Sequence, residues 1–95
     1  MLIYNLNFSG PYYYNRNFIQ DFACVYTIVI NNRLIYAGIT DSINARMSNH
    51  HKIDCWKKYS TDTRVLYIYK EPNLINRQNL ERAIINYYNP PCNDK

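Results

Sequence analysis

Glycine is scarce: there are 2 in 95 residues, Gly10 and Gly38, far apart. A glycine-rich loop that cradles phosphates needs several close together, so that whole class of nucleotide site is excluded. Cysteine is limited to Cys24, Cys55 and Cys92, an odd number with no C-x-x-C pair. Neither a zinc site nor a disulfide framework follows, and a reducing compartment, intracellular and cytoplasmic, is the expectation. No apolar run approaches the length of a membrane span, and no early basic cluster precedes a hydrophobic run as in a secretory leader. No Ser-His-Asp or Cys-His arrangement with a recognisable local signature occurs. Internal repeats and low-complexity tracts are missing as well. Charge is modest at +4 (pI about 9.0), compatible with a phosphate-binding face and too small to demonstrate one.

What is present is a chain of one-domain size, 47% apolar and unusually rich in tyrosine, with 11. Tyrosine rings with polar tips suit nucleic-acid and interface surfaces, and equally well pack a core. Residues 1–22 read as an arm or an extra strand on the domain formed by residues 23–95. Within the arm, LIYNLNF predicts a short strand, Gly10-Pro11 a turn, and Asn17 the cap of one helical turn.

Cys24 to Ile30 is uncharged and β-branched, which predicts a strand, and Asn31-Asn32 is turn chemistry. The return strand ends at Gly38. Tyr26 and Tyr36 share a face only if the loop has an odd length, such as Asn31-Asn32-Arg33, or if an equivalent bulge intervenes; Tyr26 then lies opposite Gly38. Thr40 or Asp41 predicts the cap of a helix running to about His51, on which Arg46 and His50 point the same way. Thr63 to Lys70 predicts a third strand, and Asn73 caps a last helix to Tyr88. Glu81 projects from that helix's apolar stripe, beside Ile84, Ile85 and Tyr88. Such a carboxylate needs a partner: either Arg77 one turn earlier or a cation in a cavity.

Polar groups recur at even spacing: Tyr26, Tyr36 and Arg46 lie ten residues apart, and His50 follows four later. Strand tyrosines alone would ordinarily be packing residues. Taken with Glu81 and Asn93, however, the series resembles the GIY-YIG nucleases, over about Ala23 to Asn93. The first signature stands as Cys24-Val25-Tyr26 and the second as Tyr36-Ala37-Gly38. Cys24 replaces the usual Gly, Ala37 the usual Ile or Val, and Ile39 stands where several relatives carry a polar or basic residue.

The resemblance implies an α+β fold with a small three-stranded antiparallel sheet flanked by helices. It also implies a metal-dependent DNA endonuclease. Glu81 would hold one divalent ion, Mg²⁺ or Mn²⁺, while Arg46 grips the scissile phosphate. Tyr26 would act as general base or water-positioning group, with His50 or the metal field taking its proton or lowering its pKa. Tyr36 would position water or phosphate, and Asn93 would orient a site group or tie down the C-terminus. Double-stranded DNA is the expected partner; the chain cuts with little sequence preference, is aimed by a targeting protein, or dimerises to make paired nicks, with Lys57, Lys58 and Arg64 as further candidate contacts. The alternatives are a nucleic-acid-binding module that does not cut and a nuclease directed at RNA.

Overall fold

The structure, a computed structural model, describes residues 1–93. The chain begins with a minimal antiparallel hairpin, β1 (Leu2–Ile3) and β2 (Leu6–Asn7), turned by Tyr4 and Asn5 at φ 52° and 63°. β3 (Ser9–Tyr13) follows and pairs with the strand at Arg64–Lys70. The Gly10-Pro11 turn expected from the sequence is not a turn. It lies inside β3 as a cis peptide, with Gly10 at φ 130°. A Cβ on Gly10 would sit 2.5 Å from the Leu66 carbonyl oxygen, so glycine is needed there. Proline gives no ladder proton, and β3 tolerates it as an edge strand with an irregular register.

The helical turn expected at Asn17 is also absent. Tertiary hydrogen bonds claim that backbone instead: Phe18 N–H donates to Asn44 Oδ1 (2.7 Å), and Asn44 Nδ2 donates back to the Phe18 carbonyl (2.9 Å). Asp21 accepts from Ser42 Oγ and from Asn44 N, and the Ser42 bond is the main cause of its lowered pKa.

β4 (Cys24–Ile30) is buried at every position, as befits a central strand. β5 (Arg33–Thr40) returns through Asn31 and Asn32, at φ 51° and 63°. This is a two-residue turn, and the face-sharing of the tyrosines is restored by a bulge: Val29 pairs Leu34, Ile28 pairs Tyr36, and Ile35 is the extra residue. Tyr26 consequently stands opposite Gly38.

α1 (Ile43–Ser48) is capped by Ser42, whose hydroxyl accepts from Ala45 N, rather than by Thr40 or Asp41. Thr40 has another task, exchanging hydrogen bonds with the Ser42 backbone. α1 also stops at Ser48, short of the expected end at His51. α2 (Ile53–Lys57), β6 (Arg64–Lys70) and α3 (Leu74–Tyr88) complete the chain. Asn73 caps α3 through Asn76 N as expected, and Asn89 closes it at φ 50°.

The main sheet runs β3-β6-β4-β5, four antiparallel strands rather than the three expected, because the arm supplies one. Alternation along β4 divides the core in two. Cys24, Tyr26 and Ile28 pack with Ile43, Met47 and Trp56 of α1 and α2, whereas Val25 and Val29 pack with Ile84 of α3 and with Ile3 and Phe8 of the N-terminal segment. β5 is the other edge strand, and Cys92 and Asn93 bond along its outer side. No helix of the described residues is long and apolar enough to cross a membrane.

Cys55 and Cys92 form a disulfide, with Cα atoms 5.9 Å apart. The expectation of no disulfide is corrected here, and the reducing compartment loses the support it drew from the cysteine count. Spacing could not show this pair, because the contact depends on the tail reaching α2; Cys92 N–H donates to the Ile35 carbonyl (3.0 Å) on the way. Cys24 is the buried free thiol, pushed up to about 12 mainly by burial.

Candidate active site

The site is built on the face of β4 and β5 that α1 and α2 cover. Tyr26 is fully buried, and its ring lies over Gly38, the one neighbour on β5 without a side chain. A Cβ there would fall 2.5 Å from Tyr26 Cζ. Tyr36 sits alongside, its ring centroid 6.1 Å from that of Tyr26. His50 packs edge-on against both tyrosines, at 5.7 Å and 5.2 Å. The helix that was to carry His50 has ended by then, so the loop after α1 places it.

Hydrogen bonding fixes the tautomer of His50. Lys52 N–H donates to its Nδ1 (3.0 Å), so the proton of the neutral ring is on Nε2. Nε2 lies 2.8 Å from Tyr26 Oη and therefore donates to it. Burial, reinforced by His51, Arg46 and Lys52, pushes the His50 pKa down to about 4 and keeps the ring neutral. The role expected for His50, taking the tyrosine's proton, does not match this geometry. It steadies the Tyr26 oxygen as a donor. Tyr36 is the next polar ring along, and the two phenols influence each other's titration. Burial raises the pKa of both phenols, with Arg46 acting against it in each case.

Arg46, exposed on α1, lies close enough for its charge to be felt by Tyr26, Tyr36, His50 and Glu81. Glu81 comes from α3, close enough to Tyr36 for its charge to raise that phenol. The expected alternative, a pair with Arg77, does not form: Arg77 Nη1 donates to the carbonyls of Glu71 (3.0 Å) and Pro72 (2.8 Å). Glu81 is left half-buried, its pKa raised by that burial and lowered less by Arg46 and Arg82.

A half-buried carboxylate without a bonded cation beside an arginine and two phenols fits a divalent ion. Among the described residues, no three His, Cys, Asp or Glu side chains cluster. Glu81 would thus give one protein ligand, with water and substrate phosphate completing the shell.

Asn93 bonds backbone rather than a charged side chain. Its Oδ1 accepts from Ala37 N (3.0 Å) and its Nδ2 donates to the Ala37 carbonyl (2.8 Å), so the side chain pairs with the outer edge of β5 like a short strand. Of the two roles expected for it, this arrangement matches tying down the C-terminus. Lys57, Lys58 and Arg64 are exposed; Arg64 leans over Tyr13 and donates to the Pro11 carbonyl. His51 is exposed and stacks on His50 at 5.0 Å.

Two participants escaped the sequence reading. Trp56 is buried against His50 (4.6 Å) and Tyr36 (5.7 Å) and forms the back wall of the site. Being the chain's single tryptophan was its only signal. Arg77, which the sequence offers only as a partner for Glu81, lines a cavity together with Arg46.

The model of the GIY-YIG catalytic domain matches residues 22–94. Among solved structures, the chain is similar to the GIY-YIG N-terminal endonuclease domain of UvrC from Thermotoga maritima bound to its catalytic divalent cation, magnesium. The TM-score is 0.64 at 20% identity, covering 77% of this chain and 84% of that one. It is equally similar to a tyrosine-to-phenylalanine variant of that domain, also bound to its catalytic divalent cation, with TM-score 0.64 and 19% identity over 78% of this chain and 84% of that one. No curated protein matches the chain. At these identities the structural likeness establishes the fold, while the domain match spans most of the sequence. The chain belongs to the GIY-YIG family, whose catalytic domain is a nuclease that hydrolyses phosphodiester bonds.

Proposed function

We propose that this protein is a metal-dependent DNA endonuclease acting through Tyr26, Tyr36, Arg46, His50 and Glu81. One observation carries the reading. Arg46 from α1 and Glu81 from α3 bring their charges to the bonded pair His50–Tyr26 and to Tyr36 packed beside it. A packed core has no need of an arginine and a carboxylate meeting three polar rings; phosphoryl transfer does.

Arg46 grips the scissile phosphate through its planar fork and offsets charge building on the phosphoryl oxygens. Burial of Tyr26 disfavours a standing tyrosinate, so its hydroxyl works as a relay. The attacking water forms the new P–O bond and gives its proton to Tyr26 Oη. Tyr26 passes its own proton to Tyr36, and Tyr36 releases one to a substrate oxygen or to bulk water. His50 holds the Tyr26 oxygen in place throughout. Glu81 would bind one Mg²⁺ or Mn²⁺, which when bound supplies charge to stabilise the leaving oxygen. Asn93 serves by fixing Ala37, between Tyr36 and Gly38.

An arginine at the mouth of the site suits a nucleic-acid phosphate backbone, and of the two nucleic acids DNA is the one the family resemblance implies. The test is side-by-side incubation of labelled duplex DNA and RNA of one sequence with the protein and Mn²⁺. Cleavage of the DNA alone supports the reading; cleavage of RNA alone replaces it with an RNA-directed nuclease. Binding without cleavage of either replaces it with a non-cutting module.

A further inference from the structure

Arg77 is only 5% exposed. Its Nη1 is held by two backbone carbonyls, while its buried Nε has no hydrogen-bond partner. Among the described residues, no carboxylate pairs with it. A guanidinium stays charged at any pH a protein meets, so it cannot escape the cost of burial by losing a proton. A buried charge without a counter-charge is expensive, which makes this cation a site waiting for an anion.

The anion has a place to sit. Arg77 lines a cavity of about 300 Å³ together with Ile39, Thr40, Asp41, Arg46 and Leu74. Arg46 thus bounds both this cavity and the candidate active site. Leu74 is the first residue of α3, so the positive end of that helix's dipole lies at the same place. Asp41, exposed at the rim, is the one acidic residue of the lining.

We propose that this cavity is a second phosphate subsite, in which Arg77 takes a backbone phosphate of the nucleic-acid strand next to the one held by Arg46. The inference rests on the nuclease reading and deepens it. Two phosphates held on one strand fix the register and direction in which that strand crosses Tyr26, whereas a single phosphate leaves it free to pivot. Arg77 is therefore a substrate-positioning residue.

The direct probe is the Nε–H resonance of Arg77 in ¹⁵N-labelled wild-type protein, assigned by its loss in Arg77→Lys. Titration with a short oligothymidine, without divalent metal so that nothing is cut, shifts that resonance along with that of Arg46. A shift at Arg46 alone overturns the proposal. Independently, Arg77→Met weakens duplex DNA binding about tenfold and lowers the slope of log K against log salt by about one. Unchanged affinity and slope overturn the proposal. Should Arg77→Met fail to fold, Asp41→Asn at the exposed rim replaces it and tightens binding; no tightening counts against the subsite. Failure here is distinguishable from failure of the nuclease reading. A protein that binds DNA through Arg77 and never cuts loses the nuclease reading alone, and one that cuts with Arg77 indifferent loses only the subsite.

Discussion

Gly38 stands directly across the sheet from Tyr26, and a Cβ added to it would lie 2.5 Å from both Cζ and Oη of that phenol. The glycine is required by space rather than by backbone conformation. Tyr26 is fully buried between β5 and the loop that carries His50, so it cannot swing aside cheaply. Gly38→Ala is expected to cost about 1–3 kcal/mol of stability through overpacking. It should also lower cleavage at least about tenfold by moving the Tyr26 oxygen. Thermal unfolding and single-turnover cleavage measured on one preparation check both.

His50 gives the protein a specific acid sensitivity. Its pKa falls from 6.5 to about 4 on folding, so below pH 6.5 the unfolded chain binds a proton that the folded chain refuses. The stability it confers is complete above pH 6.5 and is lost as pH falls toward 4, by up to about 1.4 kcal/mol per pH unit. His50→Gln removes this component. Denaturant unfolding of the two proteins across that range should show curves that converge or cross as pH drops; parallel curves would contradict a neutral, buried His50.

The Cys55–Cys92 bridge closes a loop with a sequence separation of 37. By the chain-entropy argument, its removal costs about 2–4 kcal/mol. Reduction with dithiothreitol, or Cys55→Ser, should lower the unfolding temperature by about 8 °C or more for a domain of this size (about 4–8 °C per kcal/mol). An intact protein whose mass already shows two free thiols at these positions would refute the bridge.

Asn93→Ala removes both hydrogen bonds to Ala37 and is expected to cost about 1–3 kcal/mol. Because Asn93 meets backbone and none of the charged groups, the concentration of Mn²⁺ giving half-maximal cleavage should not move. A large rise in that concentration would place Asn93 in the metal's surroundings after all.

Much of this was legible in the residues, and the rest failed for identifiable reasons. Asn73 capping α3 and the bulge that sets Tyr26 opposite Gly38 follow from local chemistry and strand parity, so sequence carried them. The strand containing Gly10-Pro11 was hidden because its pairing depends on edge position and a partner far along the chain. Ser42 took the cap expected of Thr40 or Asp41 once Thr40 bonded its backbone. His50 reaches Tyr26 by a loop rather than by helical spacing, so the pairing with Arg46 on one helix face is not what places it. The direction of its proton needed the Lys52 backbone, which no pattern reveals. The bridge between Cys55 and Cys92 and the freedom of Arg77 from Glu81 are likewise tertiary facts.

The most direct test is nicking of supercoiled plasmid by the wild type and by Glu81→Gln, with and without Mg²⁺ or Mn²⁺. Glutamine keeps the shape and removes a charge that burial disfavours, so the variant should be at least as stable as the wild type. The account predicts metal-dependent nicking by the wild type and a loss of about a hundredfold or more in the folded variant. Equal nicking by the two proteins, or nicking by the wild type that survives removal of all divalent metal, would contradict it.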